Sequence, residues 1–251
     1  MRRDEAGPAL RPATPRTVAA RSSARWWLGL SAALLVVLAT AVGTGGWQPA
    51  RLTLRPGGLV MVLHTVGVPP DGALRRAVDL LLERLAAAGY GEPSATVTGA
   101  ATVTVRVTSG DADGLRGLAA PGRLSFHAVL NGPVTPVSGM DSYLLGPAGV
   151  EQPDLAGVSA ILDAAVGWSV RVRFTPAGQA RWAALTAAAR QVAVVVDRQV
   201  VAAPRTDGTA TPDAHIAVNG MDQAGAVRLA ALLAYGPLPV VFTVSALRPQ
   251  P

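Results

Sequence analysis

GGLVMVLHTV at residues 57–66, PPDG at 69–72 and ALRRAVDLLLERLAAAG at 73–89 make up the stretch that decides the fold. The first block is a compact apolar run opened by two glycines, which reads as a strand covered by its neighbours. Pro69 to Gly72 interrupts it. Leu74, Val78, Leu81, Leu82 and Leu85 then recur at helical spacing, with Arg75, Arg76, Asp79, Glu83 and Arg84 assigned to the solvent side. Gly89 follows as a left-handed helix cap. Further on, Ala95–Thr98 and Thr102–Thr108 read as strands joined through Gly99. In the second, Val103, Val105 and Val107 alternate with Thr104, Arg106 and Thr108, so one face is buried. A short helix over Asp111–Ala119 and a strand over Arg123–Leu130 complete the order β-α-β-β-α-β. That is the split βαβ order of a ferredoxin-like layer, an open sheet with helices on one face.

From Asn131 to Gly157, glycine and proline recur and no periodicity holds, so this stretch reads as a connector or mobile lobe. Order resumes at Trp168–Phe174, where Trp168, Val170, Val172 and Phe174 share one face. Thr175 and Pro176 open a helix as N-cap and first helical residue. Gln191–Val196 and Gln199–Ala202 form a tight hairpin about Asp197-Arg198. Arginine fits a positive-φ site poorly, which predicts an unusual turn there. Asp222 caps a last helix closed by Gly236, Leu238–Val244 is a final strand, and Pro249 to Pro251 is a loose end.

Working outward to the N-terminus, no charged residue occurs between Trp26 and Ala50. The window Trp26 to Gly43 is about 27 Å long as a helix, close to the roughly 30 Å of a hydrocarbon core, and predicts a transmembrane helix. Trp26, Trp27 and Trp47 flank it as interfacial indoles. Six arginines precede it against Asp4 and Glu5, so the tail carries +4 of the chain's net +6, and the remaining +2 lies beyond residue 50. Positive charge stays on the cytoplasmic side, which predicts the tail inside and the body outside. The small residues Ala39-Thr40-Ala41 also fit a cleavage site, so a removed signal peptide is the competing reading.

All 22 basic residues are arginine, and the high isoelectric point follows from that and from the tail. The body is nearly neutral, which argues against a nucleic-acid surface. The absence of cysteine excludes disulfides, thiolate metal sites and a cysteine nucleophile.

A family resemblance rests on several segments taken in order. They are WSVRVRFTPAG at 168–178, Leu185-Thr186, VAVVVDRQVVAAP at 192–204, Ile216 with Asn219-Gly220, and Leu229-Ala230 through Gly236-Pro237-Leu238-Pro239-Val240. Upstream, RLTLRPGGLVMVL at 51–63 and Leu81-Leu82-Glu83-Arg84-Leu85 through Gly89 belong with them. Together these resemble the large extracytoplasmic domain of SecD, the accessory subunit of the Sec protein-export channel. Gly57, Gly58, Trp168, Phe174, Gly178, Asp197, Pro204, Gly220, Gly236, Leu238 and Pro239 carry the resemblance and are expected to be structural.

The resemblance implies an α+β chain in which a single N-terminal transmembrane helix is followed by a ferredoxin-like base with an inserted α/β head. On that reading residues 1–25 are a basic cytoplasmic tail, 26–43 the span and 44–51 a linker. Residues 52–130 with 237–247 form the base, 131–236 the head and 248–251 a loose end. The implied function is a membrane-anchored accessory factor in Sec-dependent export. It would guide translocating polypeptide on the extracytoplasmic side of the cell membrane, with Sec channel subunits and unfolded secretory chains as partners. SecD continues into further spans, which predicts that this chain works without its own proton-driven motor. The alternative is a structural or regulatory envelope module that kept the fold and not the export role.

Chemistry has few candidates. His64, His127 and His215 lie far apart in sequence with no ligand spacing, and Asp154 and Asp163 have no partner at metal-binding spacing. Ser125 and His127 share a strand face, but no G-x-S-x-G elbow is present. Gly57-Gly58 lacks a phosphate-loop lysine. The expectation is no catalytic, cofactor or metal site. Trp168 and Trp182 read as core of the head, with a polypeptide-gripping apolar face as the functional alternative.

Overall fold

The computed structural model describes residues 16–19, 56–134, 142–164, 167–218 and 220–250. The elements are β1 (Arg16–Ala19), β2 (Pro56–Thr65), α1 (Ala73–Ala87), β3 (Ser94–Thr98), β4 (Thr102–Ser109), α2 (Ala112–Leu118), β5 (Leu124–Val134) and β6 (Ser142–Glu151). A 3-10 turn (Gln152–Asp154) leads to β7 (Leu155–Asp163), β8 (Gly167–Phe174), α3 (Pro176–Ala188), β9 (Val192–Val196), β10 (Gln199–Ala202), β11 (Asp213–Ile216), α4 (Gln223–Ala234) and β12 (Phe242–Pro249). The fold is mixed α+β, and its described strand ladders are antiparallel.

Two layers follow from the pairing. The four-stranded sheet β12-β2-β4-β3 carries α1 and α2 and is called the base. The alternation read in β4 holds, since Val103, Val105 and Val107 are fully buried. They pack with Met61 and Leu63 of β2, Leu81 and Leu85 of α1, and Leu115 and Leu118 of α2. Gly89 ends α1 with φ of 82°, and Tyr90 N–H closes back on the Leu85 carbonyl at 3.0 Å.

The head holds a five-stranded sheet, β1-β6-β5-β9-β10, and a three-stranded one, β11-β8-β7. Its core gathers Phe126, Val150, Val170, Val172, Trp182 and Val194 with one face of α4. The expected caps form: Thr175 Oγ1 accepts from Gly178 N–H at 3.0 Å, and Asp222 Oδ1 accepts from Gly225 N–H at 2.7 Å.

Five expectations are corrected. The strand read at Arg123–Leu130 does not join the base; as β5 it pairs with β6 and β9, and β12 completes the base sheet beside β2. The supposed connector holds the ten-residue β6 and the first three residues of β7. Gly146, Pro147 and Gly149 hide the strand alternation of β6. Gly149 is small because Leu185 of α3 packs where its Cβ would stand. The last strand starts at Phe242 and runs through Pro249, and Gln250 N–H donates to the Gly58 carbonyl at 2.7 Å, so that end is not loose. Proline is tolerated there because β12 is an edge strand.

The hairpin at Asp197-Arg198 takes the ordinary two-residue geometry, with φ of 48° and 69°. Asp197 is held by two backbone donors, described below, and this offsets the strain at Arg198. Arg84, read as solvent-facing, is fully buried.

The span at 26–43 lies outside the described residues, and among those described no helix is long and apolar enough to cross a membrane. Arg16–Ala19, which falls in the stretch expected as an inner tail, pairs antiparallel with β6. In this arrangement that segment shares a sheet with the body.

Candidate functional site

Two features stand out: a polar junction where head meets base, and a cavity in the head.

The junction is built on α1. Arg84 sits three residues after Leu81, in the buried stripe of Ala77, Val78, Leu81, Leu85 and Ala88. Among the described residues its guanidinium finds no carboxylate within bonding distance. It donates to four backbone carbonyls: Leu118 at 3.1 Å, Ala120 at 2.7 Å, Pro121 at 2.8 Å and Gly236 at 2.6 Å. The first three lie where the chain leaves the base for the head, and the fourth lies where it returns. Burial lowers the Arg84 pKa to about 10, while the nearby Asp197 carboxylate pulls it upward, so the side chain is a cation at neutral pH. Asp197 accepts from Gly122 N–H and Arg123 N–H, both at 2.9 Å, and so grips the outgoing strand from the head side.

A second contact lies midway along α4. Asp111 caps α2 through Gly114 N–H at 2.7 Å, and its Oδ2 accepts from Arg228 of α4 at 3.0 Å. The Tyr90 hydroxyl lies 3.1 Å from the Asp111 carbonyl and 3.2 Å from its carboxylate. Burial, and then the Asp111 charge, push the Tyr90 phenol well above the ordinary tyrosine range.

The cavity has a volume of about 330 Å³, at the small end of ligand pockets. Phe126, Trp182 and Val194 line its apolar side, and the loop from Pro204 to Thr211 and His215 of β11 line its polar side. Trp182 is buried. Its ring stacks on Phe174 with centroids 5.3 Å apart and meets Phe126 edge-on at 5.4 Å. Trp168 is half-buried against the same core. Both tryptophans therefore sit in the head core, and Trp182 also borders the cavity.

The other sequence candidates scatter. His64 is exposed on β2, with Nδ1 3.0 Å from Thr102 Oγ1. His127 Nδ1 donates to the Gly146 carbonyl at 2.9 Å and Nε2 lies 2.9 Å from Ser125 Oγ. The Ser125–His127 pair faces away from Phe126 and the cavity, because neighbouring strand residues point to opposite faces. Asp154 is buried and takes Arg181 at 2.8 Å and Glu151 N–H at 3.0 Å, a structural role. Among the described residues no group of three or more His, Cys, Asp or Glu could hold a metal ion.

The residues singled out by resemblance play backbone roles. Gly58 lies under the Gln250 side chain, and Gly57 opens β2 in open space. Gly178 is pressed against the Asp154 carbonyl, and Gly220 and Gly236 both take φ of 75°. The Pro204 carbonyl accepts from Val192 N–H at 3.0 Å. Leu238 is buried, with its N–H on the Pro121 carbonyl at 2.9 Å, and Pro239 is exposed beside it. Sequence reasoning missed the role of Arg84, although its place in the 77/78/81/85/88 stripe was the available signal.

Residues 135–240 match the SecDF P1 head subdomain family. Over 109 residues the chain is 31% identical to the protein translocase subunit SecD of Streptomyces coelicolor, covering 40% of this chain and 19% of that protein. The chain thus spans about a fifth of that relative's length. The crystal structure of SecDF in its super-membrane-facing form is similar at 25% identity with a TM-score of 0.59, over 81% of this chain and 32% of that one. A second SecDF structure, of a membrane component that enhances protein export, is similar in fold at 24% identity and a TM-score of 0.56, over 75% of this chain and 99% of that one. Residues 135–240 therefore resemble a SecD-family extracytoplasmic domain, and the described body shares the fold of the SecDF structures.

Proposed function

We propose that this chain is a non-enzymatic accessory factor in Sec-dependent protein export. Residues 26–43 anchor it in the cell membrane, and the base, a ferredoxin-like platform, carries the head on the outer side. There the head handles or guides translocating polypeptide beside the channel. The observation that carries this reading is the match of residues 135–240 to the SecDF P1 head, because that segment supplies nearly all of the cavity lining. A space of this size suits one or two side chains of an extended chain rather than a folded partner. The aromatic side rewards apolar burial at about 25 cal/mol per Å², and the threonine-rich rim offers hydrogen bonds to a passing backbone. Weak, repeated contacts of this kind hold a chain without stopping it.

A photoreactive benzoyl-phenylalanine at Thr209 or Thr211, on the cavity rim, tests the reading in cells that are secreting protein. Crosslinks to secretory chains are expected from the rim and not from Thr96 on the base. A folded, expressed protein that captures neither secretory chains nor channel subunits refutes it.

The pairing of Arg16–Ala19 with β6 favours a second topology, in which tail and body share one side, since strands of one sheet cannot be separated by a bilayer. The chain has no cysteine, so Thr17→Cys and Asp207→Cys report cleanly to a membrane-impermeant maleimide on intact spheroplasts. Labelling of Asp207→Cys alone supports the anchored topology, and equal labelling of both supports the shared side.

A further inference from the structure

We propose that Arg84 is the latch that sets the orientation of the head on the base. The inference rests on the geometry of the junction and not on the export reading.

From residue 56 onward, the described chain passes from base to head after α2 and returns after α4. Arg84 belongs to neither crossing, yet its two Nη atoms bond carbonyls in both. The crossings are also stitched to each other, Leu238 N–H to the Pro121 carbonyl. Gly122 leaves the room this requires: it takes φ of 76°, and a Cβ there would stand 2.6 Å from Arg84 Nη2 and 2.9 Å from the Leu232 carbonyl. A buried cation surrounded by neutral carbonyls is costly to leave unbonded, so the four bonds make or break together. Swinging the head would pull Gly236 and the 118–121 carbonyls in different directions about one planar group. The guanidinium fork fits one arrangement of those carbonyls and not a continuum.

Helix α4 carries the mechanical link. Its Leu229, Ala230 and Leu233 pack in the head core, while Ala231 packs in the base core. It is pinned to the base at its N-terminal half by Arg228–Asp111 and just past its C-terminal end by Gly236–Arg84. Loss of the Arg228 pin leaves both crossings tied. Loss of Arg84 frees both crossings together, so only the second loss lets the head turn.

The test is a distance distribution between spin labels at Thr96→Cys in the base and Asp207→Cys in the head, measured on the full chain in mild detergent. The parent gives one narrow distribution. Arg84→Met broadens it about twofold or splits it in two, with circular dichroism unchanged. Arg84→Lys keeps the charge but cannot span four carbonyls, and it broadens the distribution less; it decides the matter if Arg84→Met does not fold. Leu81→Ala, a core truncation one turn away on the same helix, leaves the distribution narrow. A narrow, unshifted distribution in the folded Arg84 variants overturns the proposal, and so does equal broadening by Leu81→Ala, which would mark general loosening.

Discussion

Replacing Asp111 separates two roles that one carboxylate plays. In Asp111→Ala the N-cap of α2 is lost, worth about 1 kcal/mol. The ion pair to Arg228 goes with it. The Arg228 side chain is 10% exposed and that of Asp111 29% exposed, so the pair lies between the surface and buried limits. About 1–2 kcal/mol is a fair value for a pair so placed. The Tyr90 hydroxyl keeps the Asp111 backbone carbonyl as an acceptor, so it adds little. The sum is a loss of about 2–3 kcal/mol. Asparagine caps nearly as well as aspartate, so Asp111→Asn costs about 1–2 kcal/mol, through the pair alone. Urea unfolding of the purified chain reads both. With a slope near 2 kcal/mol per molar, the Ala variant moves the midpoint down by roughly 1 M and the Asn variant by about half to two-thirds of that. A cycle with Arg228→Met should show coupling of at least about 1 kcal/mol. The reasoning fails if Asp111→Ala falls within about 0.5 kcal/mol of the parent. It fails equally if the two substitutions with Arg228→Met add without coupling.

Three further outcomes follow from named contacts. Gly178→Ala places a methyl against the Asp154 carbonyl, which is already bonded to Thr175 N–H at 2.8 Å; a loss of about 1–3 kcal/mol is expected in denaturant unfolding, and a neutral result would mean the 3-10 turn shifts freely. Trp182→Ala removes the ring between Phe126 and Phe174 and should cost about 3–5 kcal/mol; a loss below about 1 kcal/mol would place that ring at a surface rather than in a core. Tyr90 holds its proton above the ordinary value of 10.0, so the folded state binds more protons than the unfolded one above that pH. Stability linked to Tyr90 is fully present below about pH 10 and falls as the pH rises further, and its phenolate absorbance should appear together with unfolding. Phenolate formation by Tyr90 itself in the folded chain near pH 10, read as the difference from Tyr90→Phe because the chain has three tyrosines, would contradict its burial.

Much of the base was legible because its elements obey local rules. The Val103, Val105 and Val107 alternation, the Leu74 to Leu85 stripe and the Gly89 cap each state their geometry within a few residues. The same held for Thr175-Pro176 and Asp222 at the two head helices. The 131–157 region was not legible. The tight approach of Leu185 demands glycine at 149, and glycine there erases the alternation that marks a strand. Arg84 was misread because charge was weighed above position. Four carbonyl partners drawn from residues 34 to 152 places away cannot be anticipated from the neighbours of Arg84. The cavity combines Trp182, which was singled out, with the Pro204–Thr211 loop, whose nearness to that ring is a tertiary fact.

The assignment of β5 shows where contiguity misleads. Six elements in β-α-β-β-α-β order suggested that the sixth closes the first sheet. The sheet is closed instead by β12, whose Ala246 stands opposite Val62 across more than two-thirds of the chain, and no local period records such a pairing. The chemistry of Phe126 did contain the answer. It packs edge-on to Phe174 and Trp182, whereas the base core is aliphatic apart from Tyr90 and a partly buried Phe242. Aromatic rings gain from meeting other rings, by about 0.5–1.5 kcal/mol beyond simple burial. The strand carrying Phe126 is therefore drawn to the layer that holds Phe174 and Trp182. Once β5 belongs to the head, the chain has to cross between layers immediately before it. That crossing is where Gly122, Asp197 and Arg84 converge. The placement of one aromatic residue thus accounts for why so many polar contacts gather on the five-residue bend at 119–123.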